Sequence, residues 1–121
     1  MAKPKVLLAE DDPTMVSLLK TLLKMEGFEV VALFADSDIP QMTRDEKPDI
    51  LLMDVHLANL SGLDILDDIR STEDIRSVKV IMSSGSNVRE ECMRHGANGF
   101  LLKPYMPDEL ITILKHSLNA A

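Results

Sequence analysis

The stretch DILLMDVHL, residues 49–57, closes an apolar run with an aspartate. Ile, Leu, Leu and Met at positions 50–53 are typical of a central parallel strand in a sheet that helices cover on both faces. Burying a charged carboxylate inside such a strand is costly, so we expect Asp54 at the point where the strand ends. Whether Asp54 is a structural cap or a reactive group depends on the side chains that reach the same edge of the sheet.

Strand-like and helix-like segments alternate five times along the chain. The predicted strands are KVLLA, FEVVALF, ILLMD, VKVIM and GFLL, at residues 5–9, 28–34, 50–54, 78–82 and 99–102. Parallel strands that helices join through right-handed crossovers form an open sheet, most often in the order 2-1-3-4-5. The sequence therefore predicts one α/β domain over residues 1–121, with a (βα)5 doubly wound, flavodoxin-like fold and a site at the carboxyl ends of its strands.

Local sequence signals mark where the predicted helices begin, and three of them are side-chain caps, at Asp12, Ser61 and Ser86. The starts are Asp12-Pro13, Asp38, Ser61 with Asp64, Ser86 and Pro107-Asp108-Glu109. The second helix, residues 38–46, is the least regular, because Pro40 is tolerated only in a first turn. Ser86 is expected to cap a short fourth helix that contains Val88 and Cys92 and ends at Gly96.

Composition narrows the class of protein. A net charge of −7 argues against the basic surface that nucleic acids require, so we expect no direct contact with nucleic acid. No apolar stretch approaches the roughly 20 residues of a membrane span, so no membrane contact is expected. The single cysteine, Cys92, cannot form an internal disulfide and fits a reducing, cytoplasmic location.

Polar residues follow four of the predicted strands. They are Glu10, Asp11 and Asp12 after the first, Asp54 on the third, Ser83 and Ser84 after the fourth, and Lys103 after the fifth. Asp12 is interpreted as a helix cap. Clustered carboxylates repel one another unless a cation lies between them, and a set of oxygen ligands favours Mg²⁺. With a lysine and a hydroxyl at the same edge, the set fits phosphoryl chemistry in which Asp54 is the nucleophile.

The segments VLLAEDDP, ILLMDVHLANLSG, VIMSSGS and GANGFLLKPYMPDEL resemble, in order and spacing, the response-regulator receiver domains of two-component signalling. The resemblance covers essentially the whole chain. It implies that Asp54 accepts a phosphoryl group from a histidine kinase or phosphotransfer protein. It also implies Mg²⁺ bound by Asp11, Asp54 and the backbone carbonyl of His56, with Glu10 reaching the ion through water.

The same resemblance assigns a switch and its output. Ser84 and Lys103 would contact the phosphoryl group, and Phe100 would rotate from a more exposed to a more buried position as Ser84 moves inward. The surface of the fourth helix, fifth strand and last helix would then bind an output protein or domain, or a second copy of the chain. The side chains of His56 and Ser86 would tune the lifetime of the phosphoryl group, and the peptide bond before Pro104 would be cis.

The chain departs from the family pattern in three places. Leu57-Ala58 replaces the usual Met-Pro after the acceptor, and Ser61-Gly62 replaces the usual Asp-Gly. Since proline restricts a chain, the loop is expected to be less rigid. Phe100 stands where tyrosine is commoner.

Three alternatives remain open from the sequence. A phosphatase of the haloacid-dehalogenase type needs a second aspartate two residues after the first, where this chain has His56. A flavodoxin-like cofactor binder needs a glycine and hydroxyl loop after the first strand, where EDDP would repel a phosphate. A receiver-like interaction module that is never phosphorylated is the third. If the chain is a receiver domain, we do not expect it to be an enzyme, because it would catalyse only its own phosphorylation and dephosphorylation.

Overall fold

Seven strands and five helices lie within residues 3–33 and 37–119, which are the residues described by this computed structural model. In chain order the elements are β1 (Lys5–Ala9), α1 (Pro13–Met25), β2 (Glu29–Ala32), α2 (Ile39–Glu46), β3 (Ile50–Asp54), β4 (His56–Leu57), β5 (Leu60–Ser61), α3 (Gly62–Ser71), β6 (Lys79–Ser84), α4 (Arg89–Arg94), β7 (Gly99–Leu102) and α5 (Pro107–Asn119). No helix among these residues is both long enough and apolar enough to cross a bilayer.

Five of the strands form one parallel sheet in the order β2-β1-β3-β6-β7. The short strands β4 and β5 pair with each other as an antiparallel hairpin between β3 and α3. With this hairpin set aside, the order is the predicted 2-1-3-4-5, and the predicted (βα)5 flavodoxin-like fold is confirmed. The helices α1 and α5 pack on one face of the sheet, and α2, α3 and α4 pack on the other.

The strand β3 lies at the centre of the sheet, and all five of its residues are buried. Leu51 and Met53 pack against one layer of helices, while Ile50 and Leu52 pack against the other. A strand that is apolar on both faces is therefore explained by helices on both sides of the sheet. Asp54 is the last residue of β3 and lies opposite Ser83 of β6, as expected for a strand end.

Two of the three predicted caps are present, at Asp12 and Ser61, and Asp38 caps α2 although it was predicted only as the start of that helix. Asp12 Oδ1 accepts a hydrogen bond from the backbone N–H of Thr14 at 3.0 Å, and Asp38 Oδ1 accepts one from Gln41 at 3.1 Å. Ser61 Oγ accepts one from the N–H of Asp64 at 3.4 Å. These bonds satisfy backbone donors that a helix leaves unpaired in its first turn.

The cap predicted at Ser86 is wrong. The helix α4 begins at Arg89 rather than near residue 87, and Val88 precedes it without a side-chain hydrogen bond. The reason is local, since the N–H of Val88, from which a cap at Ser86 would accept, already donates to the carbonyl of Ser86. The N–H of Ser86 donates to Ser84 Oγ at 3.1 Å, and its carbonyl accepts from the N–H of Val88 at 2.9 Å.

Two strands also differ from prediction at both ends, and each begins one residue later than expected. The strand β2 ends at Ala32, and Phe34 lies outside the described residues. The strand β6 continues to Ser84 instead of ending at residue 82, because Ser83 and Ser84 pair with Leu101 and Leu102 of β7.

Candidate functional site

Three carboxylates meet at the carboxyl ends of β1 and β3. One oxygen from each of Glu10, Asp11 and Asp54 lies within 4.8 Å of the others. Glu10 and Asp54 are buried and Asp11 is exposed. The prediction that Asp11 and Asp54 lie close together is confirmed, because β1 and β3 are neighbours in the sheet.

Lys103 is the cation of this site. Its Nζ donates to Glu10 Oε1 at 2.8 Å and also to Asp54 Oδ2. Burial acts to lower the pKa of Lys103, but the hydrogen bonds to Asp54 and Glu10 outweigh burial and raise that pKa above its ordinary value of 10.5. The ammonium therefore stays charged at neutral pH, and its single positive charge lies between two of the carboxylates. The peptide bond between Lys103 and Pro104 is cis, as the resemblance implies.

The β4–β5 hairpin supplies two backbone donors that the sequence did not predict. The N–H of His56 donates to Asp54 Oδ1 at 3.0 Å, and the N–H of Ala58 donates to Asp11 Oδ2 at 2.8 Å. Ala58 has φ 50°, in the left-handed region that few residues other than glycine adopt. The hairpin thus holds two of the three carboxylates from one side.

Gly62 also has a part in the site that was not predicted from the sequence. It is the first residue of α3, and its N–H donates to the carbonyl of Val55 at 2.7 Å. A Cβ at this position would lie 2.3 Å from the backbone carbonyl oxygen of Asp54. Only glycine lets α3 begin so close to the end of β3.

The predicted switch residues lie in the core beside the site. Ser84 is buried, and its hydroxyl accepts the hydrogen bond from Ser86 described above. Phe100 is 7% exposed and pairs with Met82 across β6 and β7. The ring is therefore already in the kind of position expected after phosphorylation, and its rotation from a more exposed position stays a prediction.

The residues predicted to tune the lifetime of the phosphoryl group are both exposed. They are His56, on the hairpin, and Ser86, in the turn after β6. Their roles remain predictions, as does the role of the His56 carbonyl.

The acidic cluster suits a divalent cation. Carboxylates offer the oxygen ligands that Mg²⁺ prefers, and close carboxylates are stabilised when a cation lies between them. Both oxygens of Glu10 already accept hydrogen bonds, from Lys103 and from the N–H of Asp11 at 3.0 Å, and both oxygens of Asp54 accept from Lys103 and from the N–H of His56. The assignment of Asp11 and Asp54 as direct ligands, with Glu10 reaching the ion through water, stays a prediction.

Tyr105 provides a spectroscopic probe next to this site, since it is the only tyrosine and the chain has no tryptophan. Burial raises its pKa to about 12. The charge of Lys103 acts to lower this pKa, and the carboxylates Glu10 and Asp54 act to raise it, each less than burial does. We expect the phenolate absorbance to appear about two pH units later in the folded protein than in urea. Because the folded state then holds this proton more tightly, stability should fall as pH rises from 10 towards 12. Coincident titrations in buffer and in urea would contradict the burial of this phenol.

Comparison with known proteins identifies the family. Residues 6–115 match the family model described as the response regulator receiver domain. The transcriptional regulatory protein CpxR of Klebsiella pneumoniae is 32% identical over 115 residues, which are 95% of this chain and 49% of that protein. The phosphate regulon transcriptional regulatory protein PhoB of Rhizobium meliloti is 27% identical over 121 residues, 98% of this chain and 53% of that protein.

The chain spans about half the length of the curated relatives it matches. A further relative, named as the DNA-binding response regulator MtrA of Mycolicibacterium smegmatis, is 24% identical over 117 residues, which are 97% of this chain and 51% of that protein. These relatives give no support to the expectation that the protein makes no contact with nucleic acid.

Solved structures agree with the family match. The receiver domain of the sensor histidine kinase PA1611 from Pseudomonas aeruginosa is 28% identical and superposes with a TM-score of 0.87, covering 98% of this chain and 100% of that one. That structure is described with a magnesium ion coordinated in its active-site cleft. The parallel sheet, the acidic cluster at its carboxyl edge and the match over residues 6–115 lead to one conclusion. The chain belongs to the response regulator receiver domain family of two-component signalling.

Proposed function

We propose that Asp54 accepts a phosphoryl group from a phosphohistidine of a histidine kinase or phosphotransfer protein, in a reaction that requires Mg²⁺. The supporting observation is the setting of Asp54, which is buried at the end of β3 beside Lys103, Glu10 and Asp11. A carboxylate oxygen of Asp54 attacks phosphorus as the phosphorus–nitrogen bond to the donor imidazole breaks. The electron pair of that bond stays on the imidazole nitrogen.

The other residues of the site have separate roles in this proposal. Asp11, Asp54 and the His56 carbonyl would hold Mg²⁺, with Glu10 acting through water, and the ion would supply positive charge for the phosphoryl oxygens. Lys103 moves its hydrogen bond from the Asp54 carboxylate to a phosphoryl oxygen. Because Lys103 also bonds Glu10, it stays tied to the site during this exchange.

Phosphorylation then changes the surface of α4, β7 and α5. The new group adds about two negative charges and three strong acceptors at the end of β3. The Ser84 hydroxyl can donate to one of these oxygens while it still accepts from the N–H of Ser86. In the switched state Ser84 has moved and Phe100 is buried. An output protein or domain, or a second copy of the chain, binds this state.

The remaining parts of the proposal concern the protein as a whole. Receiver domains are signalling modules rather than conventional enzymes, and we propose that residues 1–121 form one such domain in the cytoplasm. It catalyses its own phosphorylation and dephosphorylation, with His56 and Ser86 setting the lifetime. The domain itself is proposed to act through protein contacts.

Intact mass after incubation with acetyl phosphate and Mg²⁺ tests the proposal. The parent should gain the mass of one phosphoryl group, and Asp54→Asn should gain none. Asp12→Asn is the matched control, since it makes the same change at the same edge of the sheet. Asp12 caps α1, and asparagine caps a helix about as well, so this variant should be phosphorylated like the parent.

Two outcomes would contradict the proposal. A parent that stays unmodified under conditions that phosphorylate a known receiver would favour the interaction module. A phosphoryl group on Asp54→Asn at the level of the parent would place the acceptor at another residue.

A further inference from the structure

Arg70, near the C-terminal end of α3, makes four hydrogen bonds to chain segments beyond its own helix. Its Nε donates to the carbonyl of Gly96 at 2.9 Å. Its Nη1 donates to the carbonyls of Arg76 at 2.9 Å and Val78 at 2.8 Å, and its Nη2 donates to Asn98 Oδ1 at 2.9 Å. One guanidinium thus joins α3, the segment before β6 and the turn between α4 and β7.

Two of these partners, Gly96 and Asn98, lie directly after α4, and this segment makes further contacts with its surroundings. Gly96 has φ 102°, and a Cβ there would lie 3.2 Å from the Arg70 side chain, so the turn and the guanidinium fit closely. Asn98 Oδ1 also accepts from the N–H of Val80 at 2.8 Å. His95 Nδ1 lies 2.7 Å from Asp67 Oδ1, which is a second side-chain contact between the end of α4 and α3.

The opposite end of α4 is held less firmly. Val88 precedes the helix without a side-chain cap, and residues 85–87 before it are exposed. The helix has six residues, so its first turn makes up more than half of it. An end without a cap is the one expected to move or fray.

The anchored end is also linked to the phosphoacceptor through one rigid element. The helix α3 begins at Gly62, whose N–H bonds to Val55 directly after Asp54, and Arg70 lies in the last turn of this ten-residue helix. A helix of this length transmits position over about 15 Å. Through α3, the C-terminal end of α4 is therefore held in a defined position relative to the end of β3.

We propose that Arg70 is a positioning residue that fixes the C-terminal end of α4 to α3, so that α4 turns about Gly96 and moves at its N-terminal end when Asp54 is phosphorylated. The inference rests on the proposed function for the phosphorylation step. It adds one part that does not move, the C-terminal end of α4 bound by Arg70, to the surface of α4, β7 and α5 that changes on phosphorylation. We call this end of α4 the fixed point. Four charge-assisted bonds make this point strong, since hydrogen bonds to charged groups are the stronger class.

Backbone hydrogen exchange measured by NMR tests the fixed point, with and without beryllofluoride and Mg²⁺ as the phosphoryl analogue. Cys92 reports the N-terminal half of α4, since its N–H bonds to the carbonyl of Val88. Gly96, Ala97 and Asn98 report the other end, because their N–H groups bond to the carbonyls of Met93, Cys92 and Val80. In the parent, the analogue should change exchange at Cys92 by about fivefold or more and at the other three by less than about twofold.

Arg70→Gln should alter this response. Exchange at Gly96, Ala97 and Asn98 should rise by about tenfold without the analogue, and the analogue should now change it about as much as at Cys92. Arg70→Lys should behave in the same way, because a lysine keeps the charge but lacks the fork that reaches four acceptors. Arg76→Gln, which removes the same charge from an exposed side chain, should respond like the parent.

The response to the analogue distinguishes an Arg70 that positions α4 from an Arg70 that only stabilises the fold. If Arg70 only stabilises the fold, Arg70→Gln will raise exchange in both states and leave the effect of the analogue as in the parent, which overturns the proposal. Amides of β3 monitor global unfolding in each variant. If Arg70→Gln does not fold, His95→Gln, at a half-buried side chain, should show the same change to a smaller degree, and a parent-like response there overturns the proposal.

The failure of the proposed function would look different. A parent that shows no response to the analogue at residues 54–58 would overturn phosphorylation at Asp54 and the fixed point with it. A parent that responds there, and equally at Cys92 and at Gly96, would overturn the fixed point alone.

Discussion

Replacing Lys103 with methionine is expected to destabilise the metal-free protein by about 3 kcal/mol at neutral pH. The ammonium bonds to Glu10 and Asp54, whose side chains are only 5% and 11% exposed. Methionine keeps a similar length but no charge, so two mostly buried carboxylates would face each other and Asp11 without a cation. Removing one partner of a buried ion pair is costly because the remaining charge stays buried and uncompensated.

Urea unfolding in the presence of EDTA measures this effect. Lys115→Met is the control, since Lys115 lies 3.5 Å from Glu26 in an ion pair that is exposed on both sides, and such pairs contribute little. Millimolar Mg²⁺ should restore part of the stability of Lys103→Met, because a cation that binds only the folded state stabilises it. Equal stability of Lys103→Met and Lys115→Met without metal would show that Lys103 does not hold the cluster together.

The pH dependence of this difference has a defined sign. The pKa of Lys103 is raised in the folded state above the ordinary value of 10.5. Its stabilising contribution is therefore fully present below pH 10.5 and is lost as pH rises through the higher folded-state pKa. The gap between the parent and Lys103→Met should be constant from pH 7 to 9 and shrink at strongly alkaline pH.

The main features of the site were predictable because parallel strands end at a shared edge. An apolar run that closes with Asp54 fixes the end of β3, and polar residues after the neighbouring strands must then lie close by. In this way Lys103 reaches Glu10 across 93 positions of the chain and Asp54 across 49. Strand order and strand ends were enough, and no knowledge of side-chain packing was needed.

The β4–β5 hairpin was not predictable in the same way. Ala58 takes the left-handed conformation that glycine usually marks, so the sequence carries no turn signal at this position. Its hydrogen bond to Asp11 spans 47 residues and uses a backbone N–H, which any residue but proline has. Proline at this position, the family's usual residue, would remove that donor.

The missing cap at Ser86 and the long-range contacts of Arg70 were not predicted from the sequence, for a related reason. A capping pattern shows only that a serine side chain can accept from a following N–H, and here the N–H of Val88 donates to the backbone carbonyl of Ser86 instead. Arg70 follows the pattern of a solvent-facing helix residue, yet its guanidinium reaches a carbonyl 26 positions away. Long side chains can reach acceptors that sequence spacing does not indicate.

Gly62→Ala is expected to destabilise the protein by about 2 kcal/mol and to slow phosphorylation of Asp54 by about tenfold or more. Intrinsic helix propensity alone would favour alanine by about 1 kcal/mol. The steric term decides the sign, because the new Cβ would lie 2.3 Å from the Asp54 carbonyl oxygen and 3.0 Å from the Cα of Val55. Both are backbone atoms, so α3 and the end of β3 must move apart.

Gly85→Ala is the matched control for this prediction. A Cβ on Gly85 would meet nothing within 4 Å, so its stability should stay within about 0.5 kcal/mol of the parent. Urea unfolding gives the stability of each variant, and the initial rate of mass gain with acetyl phosphate and Mg²⁺ gives the effect on Asp54. If Gly62→Ala matched Gly85→Ala in both measurements, α3 would have room to shift without displacing the carboxylate. A loss of both stability and rate would instead show that the acceptor is positioned by the helix that follows it.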